Sequence, residues 1–144
     1  MLRAFLAVVL VVSLSAGASA AEEAEGDLIL TIKRVKSGRG YLRVALCSSP
    51  EQYRTDRDIF RTAGVRPEKG ETEVVFRGIP YGLYAVKVYH DKNGNDKLDK
   101  GFFGIPKERY GFSNDPKIRG GMPPYDEAAF EVGSKEEYRT INLR

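Results

Sequence analysis

The chain has 144 residues, with 23 lysines and arginines against 20 aspartates and glutamates, and its formal net charge is +3. The basic residues are scattered along the sequence, so they give no electrostatic footprint for a nucleic acid. A single histidine and a single cysteine, His90 and Cys47, leave too few ligands for a structural zinc site and exclude an internal disulfide.

Residues 1–20 have the pattern of a signal peptide. Arg3 supplies a positive start, residues 6–14 are almost entirely apolar, and residues 18–20 form a small-residue cleavage site. The apolar run is too short to span a bilayer. We therefore expect export to a periplasm or secretion, with no membrane insertion after cleavage.

The rest of the sequence is dominated by short alternating stretches that predict strands. They begin near residues 28, 41, 72, 83, 128 and 139. Runs of this kind with little helical signal favour two packed sheets. We predict a flexible lead-in over 21–26. It is followed over 27–144 by one all-β domain, an antiparallel sandwich of the prealbumin or immunoglobulin-like kind with about seven strands.

One short helix is predicted after the second strand. Ser49 and Gln52 form a capping box, and Pro50 stands at the first helical position. Tyr53, Phe60 and Ala63 would share its apolar face, and Gly64 would end it. An irregular crossover is the alternative interpretation of this stretch.

Residues 91–125 show neither the helical nor the strand period. Seven large apolar residues argue against disorder, because disordered segments are depleted in them: Phe102, Phe103, Ile105, Tyr110, Phe112, Met122 and Tyr125. We predict one long ordered loop pinned to the sandwich by its aromatic residues, and a binding surface on that loop. The candidate surface residues are His90, Phe102, Phe103, Glu108, Tyr110, Phe112, Asn114 and Tyr125.

The start of this loop resembles the front of an EF-hand calcium site. Asp91, Asn93, Asn95 and Asp99 occupy relative positions 1, 3, 5 and 9, and the Lys97 carbonyl falls at position 7. Alternate residues of a tightly curled backbone can aim oxygens at one hard cation. The spacing predicts a weak Ca²⁺ site.

The calcium pattern is incomplete at two positions. Asp96 replaces the glycine of position 6, and Phe102 stands where a bidentate glutamate is expected. The missing ligand would have to come from Glu108, Asp126 or Glu127. The alternative is a turn in which the Asn and Asp side chains bond their own backbone.

His90 is followed directly by a carboxylate, Asp91, which permits an acid–base interpretation. In that alternative, a small periplasmic hydrolase would use His90 with a neighbouring carboxylate and with Ser113 as nucleophile. Ser113 lies in no nucleophile-elbow motif. The architectural interpretation is that His90 ends a strand and fixes the path of the loop.

Two other residues have structural interpretations. Tyr84 follows a turn with Pro80 and resembles a buried corner tyrosine whose hydroxyl bonds the neighbouring loop. Cys47 ends the second strand without any recognisable activating group in the sequence, so we interpret it as structural.

Four motifs in order resemble one family of small secreted bacterial proteins of unknown function. They are Gly-Leu-Tyr-Ala-Val at 82–86, His-Asp-Lys-Asn-Gly-Asn-Asp-Lys-Leu-Asp at 90–99, Gly-Ile-Pro-Lys-Glu-Arg-Tyr-Gly-Phe-Ser-Asn at 104–114, and Pro-Pro-Tyr-Asp-Glu-Ala-Ala-Phe at 123–130. The resemblance implies a prealbumin-like or carboxypeptidase-regulatory-like sandwich and an exported protein. It implies no reaction, because the family has no established activity.

Two functional hypotheses follow from the sequence. The first is a non-enzymatic binding or interaction module for a protein, small-molecule or glycan ligand, with the 91–125 region as its binding surface. The second is the hydrolase described above. We favour the first hypothesis, since the sequence offers one histidine, no nucleophile motif and no cofactor fingerprint.

Overall fold

The computed structural model describes residues 23–144, so the predicted signal peptide at 1–20 lies outside the described residues. Eight strands follow in chain order: β1 (Glu25–Val35), β2 (Tyr41–Cys47), β3 (Arg61–Val65), β4 (Gly70–Pro80), β5 (Gly82–Asp91), β6 (Tyr110–Phe112), β7 (Phe130–Val132) and β8 (Glu136–Asn142). The helices are α1 (Pro50–Thr55) and α2 (Tyr125–Ala128), with a 3₁₀ turn at Phe102–Gly104.

The strands form two packed sheets. One has the order β4-β1-β8, and the other has the order β3-β2-β5-β6, with β7 also paired to β5. Every pairing between strands of 23–144 is antiparallel except that of β1 with β8, which is parallel. The predicted all-β sandwich is confirmed.

Alternation along the strands builds the core between the two sheets. On β5 the even-numbered residues face inward, and Tyr84, Val86 and Val88 are all less than 5% exposed. The main core also takes the inward residues of the other strands: Leu28, Leu30, Ile32, Leu42, Val44, Leu46, Val74, Phe76, Phe130, Val132 and Ile141. Burial of apolar side chains on this scale is the main stabilising term for a domain without disulfides.

A smaller apolar cluster covers part of the outer face of the five-stranded sheet. Its buried members are Cys47, Tyr53, Ala85, Phe112 and Ala128. They come from β2, α1, β5, β6 and α2, so both helices and the long segment after β5 pack on this face. The opposite, outer face of the three-stranded sheet has no such cover within 23–144, and Tyr138 there is 62% exposed.

The predicted helix is confirmed at its start and wrong in its length. Ser49 accepts a hydrogen bond from the Gln52 amide, as a helix cap should. The helix ends after Thr55, because Asp56 adopts left-handed geometry with φ of 57°. Ala63 lies in β3, where it pairs with Val44 of β2, and Phe60 packs on the main core. The residues that a longer helix would have included form the edge strand β3 instead, and pairing with β2 satisfies their backbone hydrogen-bonding groups.

Two further differences concern short segments. β1 begins at Glu25, inside the stretch predicted as a flexible lead-in, because Glu25 pairs with Pro80 across to β4. Helix α2 is an addition to the single helix predicted. Within residues 23–144, no helix is long and apolar enough to cross a membrane.

Candidate functional site

The candidate site starts at the end of β5, where two neighbouring residues face opposite ways. His90 points into the core and is fully buried, and Asp91 points to the outer face and is fully buried as well. Strand alternation requires this division. It separates the histidine from the carboxylate next to it in the sequence.

Asp91 is the centre of residues 91–99, which we call the Asn loop. Its Oδ1 accepts hydrogen bonds from the amides of Gly94 and Asn95 at 2.8 and 3.1 Å. Its Oδ2 accepts from the Asp96 amide at 3.0 Å and from Arg43 Nε at 3.1 Å. Burial acts to raise the pKa of the Asp91 carboxyl, but these donors outweigh it and hold the pKa below its ordinary value.

The other predicted calcium ligands bond one another. Asn93 and Asn95 turn their amide nitrogens to the two oxygens of Asp99, at 2.7 and 2.9 Å. Their carbonyl oxygens accept backbone N–H groups two residues ahead, from Asn95 and from Lys97. These are Asx turns, the alternative that the sequence left open.

Glu108 joins the two ends of the Asn loop. It is 8% exposed, and its carboxylate accepts from the Lys92 amide at 2.9 Å and from the Asp99 amide at 3.1 Å. Among the three residues proposed to complete a calcium site, Glu108 makes this contact, whereas Glu127 pairs with Arg119. Asp126 lies on α2 with Glu127.

This donor set does not fit calcium in the described conformation. Both oxygens of Asp91 already accept N–H donors, and the Arg43 guanidinium lies 3.1 Å from Asp91 and 2.8 Å from Asp96. A fixed cation therefore already pairs with Asp91, one of the two predicted carboxylate ligands, and with the neighbouring Asp96. In the described part of the chain, no group of three or more acidic, histidine or cysteine side chains is placed to hold a metal ion.

His90 is held by backbone rather than by a catalytic partner. Its Nε2 lies 2.8 Å from the Arg39 carbonyl oxygen and donates to it, because a carbonyl oxygen can only accept. Nδ1 has no hydrogen-bond partner within residues 23–144. The ring thus ties the end of β5 to the turn between β1 and β2.

Ser113 and Asn114 tie the segment after β6 to the sheet and to α2. The buried Ser113 hydroxyl accepts from the Val86 amide at 2.9 Å and donates to the Ala128 carbonyl. Asn114 has a φ of 64° and donates to the carbonyls of Glu127 and Ala129. Val86 precedes His90 by four strand positions, about 13 Å. The structure therefore does not bring Ser113 and His90 together.

The structural interpretations of Tyr84 and Cys47 agree with their surroundings. The Tyr84 hydroxyl donates to the Pro80 carbonyl at 2.7 Å, as a corner tyrosine should. Cys47 is fully buried in the smaller cluster, and burial raises the pKa of its thiol to about 11, with Lys87 opposing the shift. A thiol with so high a pKa is protonated at neutral pH and is a poor nucleophile.

A large cleft lies between the outer face of the five-stranded sheet and residues 92–122; we call it the sheet cleft. Its volume is about 1020 Å³. Outward residues of the sheet line one side, including Arg43, Thr62, Lys87, Tyr89 and Tyr110. The long segment lines the other side with Asp96, Lys97, Leu98, Lys100, Phe103, Ile105, Ile118 and Met122.

The aromatic residues of the long segment divide into two groups. Phe112 is buried, and Tyr125 packs edge-on against Tyr53 with ring centroids 5.7 Å apart. Phe102 and Phe103 are 90% and 100% exposed, so the expectation that they bury themselves against the sandwich is wrong. The hairpin around them closes on backbone bonds, Gly101 N to Ile105 O among them, and needs no aromatic anchor.

Several lining residues were not predicted from the sequence. Arg43 and Thr62 belong to different strands, and only the pairing of β3, β2 and β5 places them beside the long segment. The available signal was the outward phase of the alternation at Arg43. That alternation places Arg43 on the outer face of its sheet, but it does not show which residues cover that face.

Fold and cleft together define a small all-β sandwich whose long ordered segment folds back over one sheet. A family model with the description "Uncharacterized protein conserved in bacteria (DUF2141)" matches residues 30–140, and the chain belongs to this family. No curated protein and no solved structure matches the chain.

Proposed function

We propose that this protein is an extracytoplasmic, non-enzymatic binding module and that the sheet cleft is its ligand site. One observation carries the proposal. The long segment is anchored to the sheet yet leaves about 1020 Å³ unfilled, while Phe103, Ile105 and Met122 at that cleft stay 100%, 64% and 45% exposed. Burying one such side chain stabilises a fold by about 1.5–3 kcal/mol. An ordered segment that leaves three of them exposed gives up this stabilisation, and an exposed apolar patch of this kind marks a binding surface.

The size of the cleft favours a small ligand. Ligand pockets typically enclose roughly 300–1,000 Å³ and combine apolar walls with a few polar groups. The sheet cleft has that composition, with Ile59 and Ile118 beside Tyr89 and Lys87. A small molecule or short glycan fits this concave shape better than a protein partner, which needs roughly 800 Å² of surface on each side.

The positions of His90 and Ser113 support a binding role over hydrolysis. A general base needs hydrogen-bond reach to a substrate proton. His90 is fully buried and donates to a carbonyl, and Ser113 is fully buried between two backbone groups. Neither residue lines the sheet cleft.

Filling the cleft is the direct test. Thr62→Trp places a large side chain at the cleft from the exposed edge strand β3, and Thr140→Trp makes the same change on the exposed outer face of the other sheet. Equilibrium dialysis against anilinonaphthalene sulfonate, a dye with apolar rings and one anion, measures binding. We expect the parent and Thr140→Trp to bind the dye and Thr62→Trp to lose most of that binding. Equal binding by all three would exclude the cleft as the site.

The extracytoplasmic location rests on the signal pattern of residues 1–20. Fractionation of bacteria that produce the full chain should place it outside the cytoplasm with Ala21 as its first residue. A chain without residues 2–20 should stay in the cytoplasm. Retention of the full chain in the cytoplasm would contradict the location.

A further inference from the structure

The charges around the sheet cleft do not balance. Four cationic side chains line it, Arg43, Lys87, Lys97 and Lys100, against two anionic ones, Asp56 and Asp96. The lining therefore carries a net charge of +2. An excess of one sign in a concave site with apolar walls concentrates field lines and attracts a ligand of the opposite sign.

Two of the four cations are already neutralised. Arg43 pairs with Asp91 and Asp96, and Lys87 pairs with Asp56. Lys97 and Lys100 form no salt bridge with any acidic residue of 23–144. The uncompensated charge thus lies on the long segment, on the same wall as the exposed apolar residues.

Apolar and cationic groups alternate along that wall. Lys97, Leu98 and Lys100 precede Phe103 and Ile105, and all five line the cleft. Phe103 has a φ of 61°, and its turn is closed by the bonds from Gly101 N to Ile105 O at 2.7 Å and from Ile105 N to Phe102 O at 3.4 Å. An apolar body could cover Phe103 and Ile105 while its anionic end reaches one of the two lysines.

We propose that the ligand of the sheet cleft is a small amphipathic carboxylate: an aliphatic or aromatic body that packs on Phe103, Ile105 and Met122, with its anion at Lys97 and Lys100. This inference rests on the proposed function, since it names the ligand class of the same cleft. The carboxylate binds without any covalent step. Its affinity falls as salt rises, because the two lysines are exposed and their charge is screened.

The test compares decanoate, decanol and decyltrimethylammonium as competitors of the dye bound to the parent protein, with the two ionic compounds below their micellar concentrations and decanol below its solubility limit. We expect decanoate to displace it best and decyltrimethylammonium worst. Lys97→Gln/Lys100→Gln should weaken decanoate binding about fivefold, since exposed charge pairs are individually modest. The matched control is Lys92→Gln/Lys107→Gln, two exposed lysines of the same segment that do not line the cleft, and it should bind decanoate like the parent.

Two adjacent phenylalanines provide a test of whether the ligand binds in the cleft or on the exposed apolar surface in general. Phe103 lines the cleft and Phe102 does not, although both are almost fully exposed. Phe103→Ala should weaken decanoate binding, and Phe102→Ala should not. Since neither side chain is buried, neither change should impair folding. Equal losses in both variants would mean that the hairpin tip docks on an amphiphile surface such as a membrane, which overturns the proposal.

The remaining outcomes distinguish the two levels of inference. If decanol competes as well as decanoate and the Lys97/Lys100 variant binds normally, while Thr62→Trp still abolishes binding, the cleft is a site but the anionic ligand class is wrong. If Thr62→Trp leaves decanoate binding unchanged, the proposed function itself fails.

Discussion

Arg43 on β2 lies with its Nε 3.1 Å from Oδ2 of Asp91 at the end of β5. The same guanidinium reaches Asp96 with Nη2 at 2.8 Å. One cation from the sheet thus holds two carboxylates of the Asn loop, and its guanidinium carbon lies over the Tyr41 ring, 4.5 Å from the centroid. In the loop whose sequence resembles a calcium site, the cation bound to the carboxylates of Asp91 and Asp96 is therefore the Arg43 guanidinium.

This arrangement predicts that the parent protein melts at the same temperature in chelator and in about 5 mM calcium, a concentration above the weak extracellular range. Calcium would have to displace Arg43 and three backbone hydrogen bonds to reach Asp91. A clear rise of Tm with calcium would instead support the calcium prediction made from the loop's spacing. Magnesium in place of calcium is the control for a general effect of divalent ions.

Removal of the guanidinium should destabilise the Asn loop. Arg43→Gln leaves the buried Asp91 carboxylate without its cation, so we expect the free energy of unfolding to fall by about 1–3 kcal/mol. Lys33→Gln, an exposed change on the other sheet, should have no such effect. Urea denaturation measures both. An Arg43→Gln protein as stable as the parent would show that the backbone N–H donors suffice.

The lowered pKa of Asp91 predicts a specific pH dependence. The pKa of this carboxyl is lower in the folded state than in the unfolded state. As the pH falls, the carboxyl is therefore protonated in the unfolded state first. The stabilisation is therefore complete above about pH 5 and is lost as the pH falls from about 4 through the folded pKa. Asp91→Asn should be less stable than the parent at pH 7, and the gap should narrow below pH 4. Asp58→Asn, on the exposed connection after α1, is the control. A gap that is constant with pH would show that charge on Asp91 is not the cause.

His90 should matter for stability and not for ligand binding. His90→Ala loses the bond to the Arg39 carbonyl and leaves a cavity in a fully buried site, so we expect a loss of about 2–4 kcal/mol. Dye binding by the folded variant should match that of the parent, since His90 does not line the sheet cleft. Normal stability with lost binding or a lost activity would instead place His90 in the site.

Limited chymotrypsin digestion should cut the long segment first at its tip. Phe102 and Phe103 are 90% and 100% exposed, whereas Phe112 is buried and Tyr125 packs on Tyr53. We expect early cleavage after Phe102 or Phe103 and slow cleavage after Phe112 and Tyr125. Mass spectrometry of the first fragments identifies the sites. Equally fast cleavage after Phe112 would show that the segment does not stay packed on the sheet.

The amino-acid sequence by itself determined the two-sheet class and the inward face of each main strand. Alternation is a local property, so Val86, Val88 and His90 could be assigned to one face without knowledge of any partner. The capping box at Ser49 and the corner role of Tyr84 are local for the same reason. The Asx-turn alternative for the Asn loop also needed only neighbouring residues.

Tertiary structure alone decided what lies opposite those faces. Arg43 and Asp91 are 48 positions apart, and their contact exists because β2 pairs with β5. The position of Phe103 above a cleft floored by β2 and β5 likewise follows from the packing of distant segments. Sequence periodicity reports which side of a strand is apolar. Which group covers the other side depends on pairing between strands that are distant in the sequence. The free energy of that pairing cannot be worked out from any single stretch of the sequence.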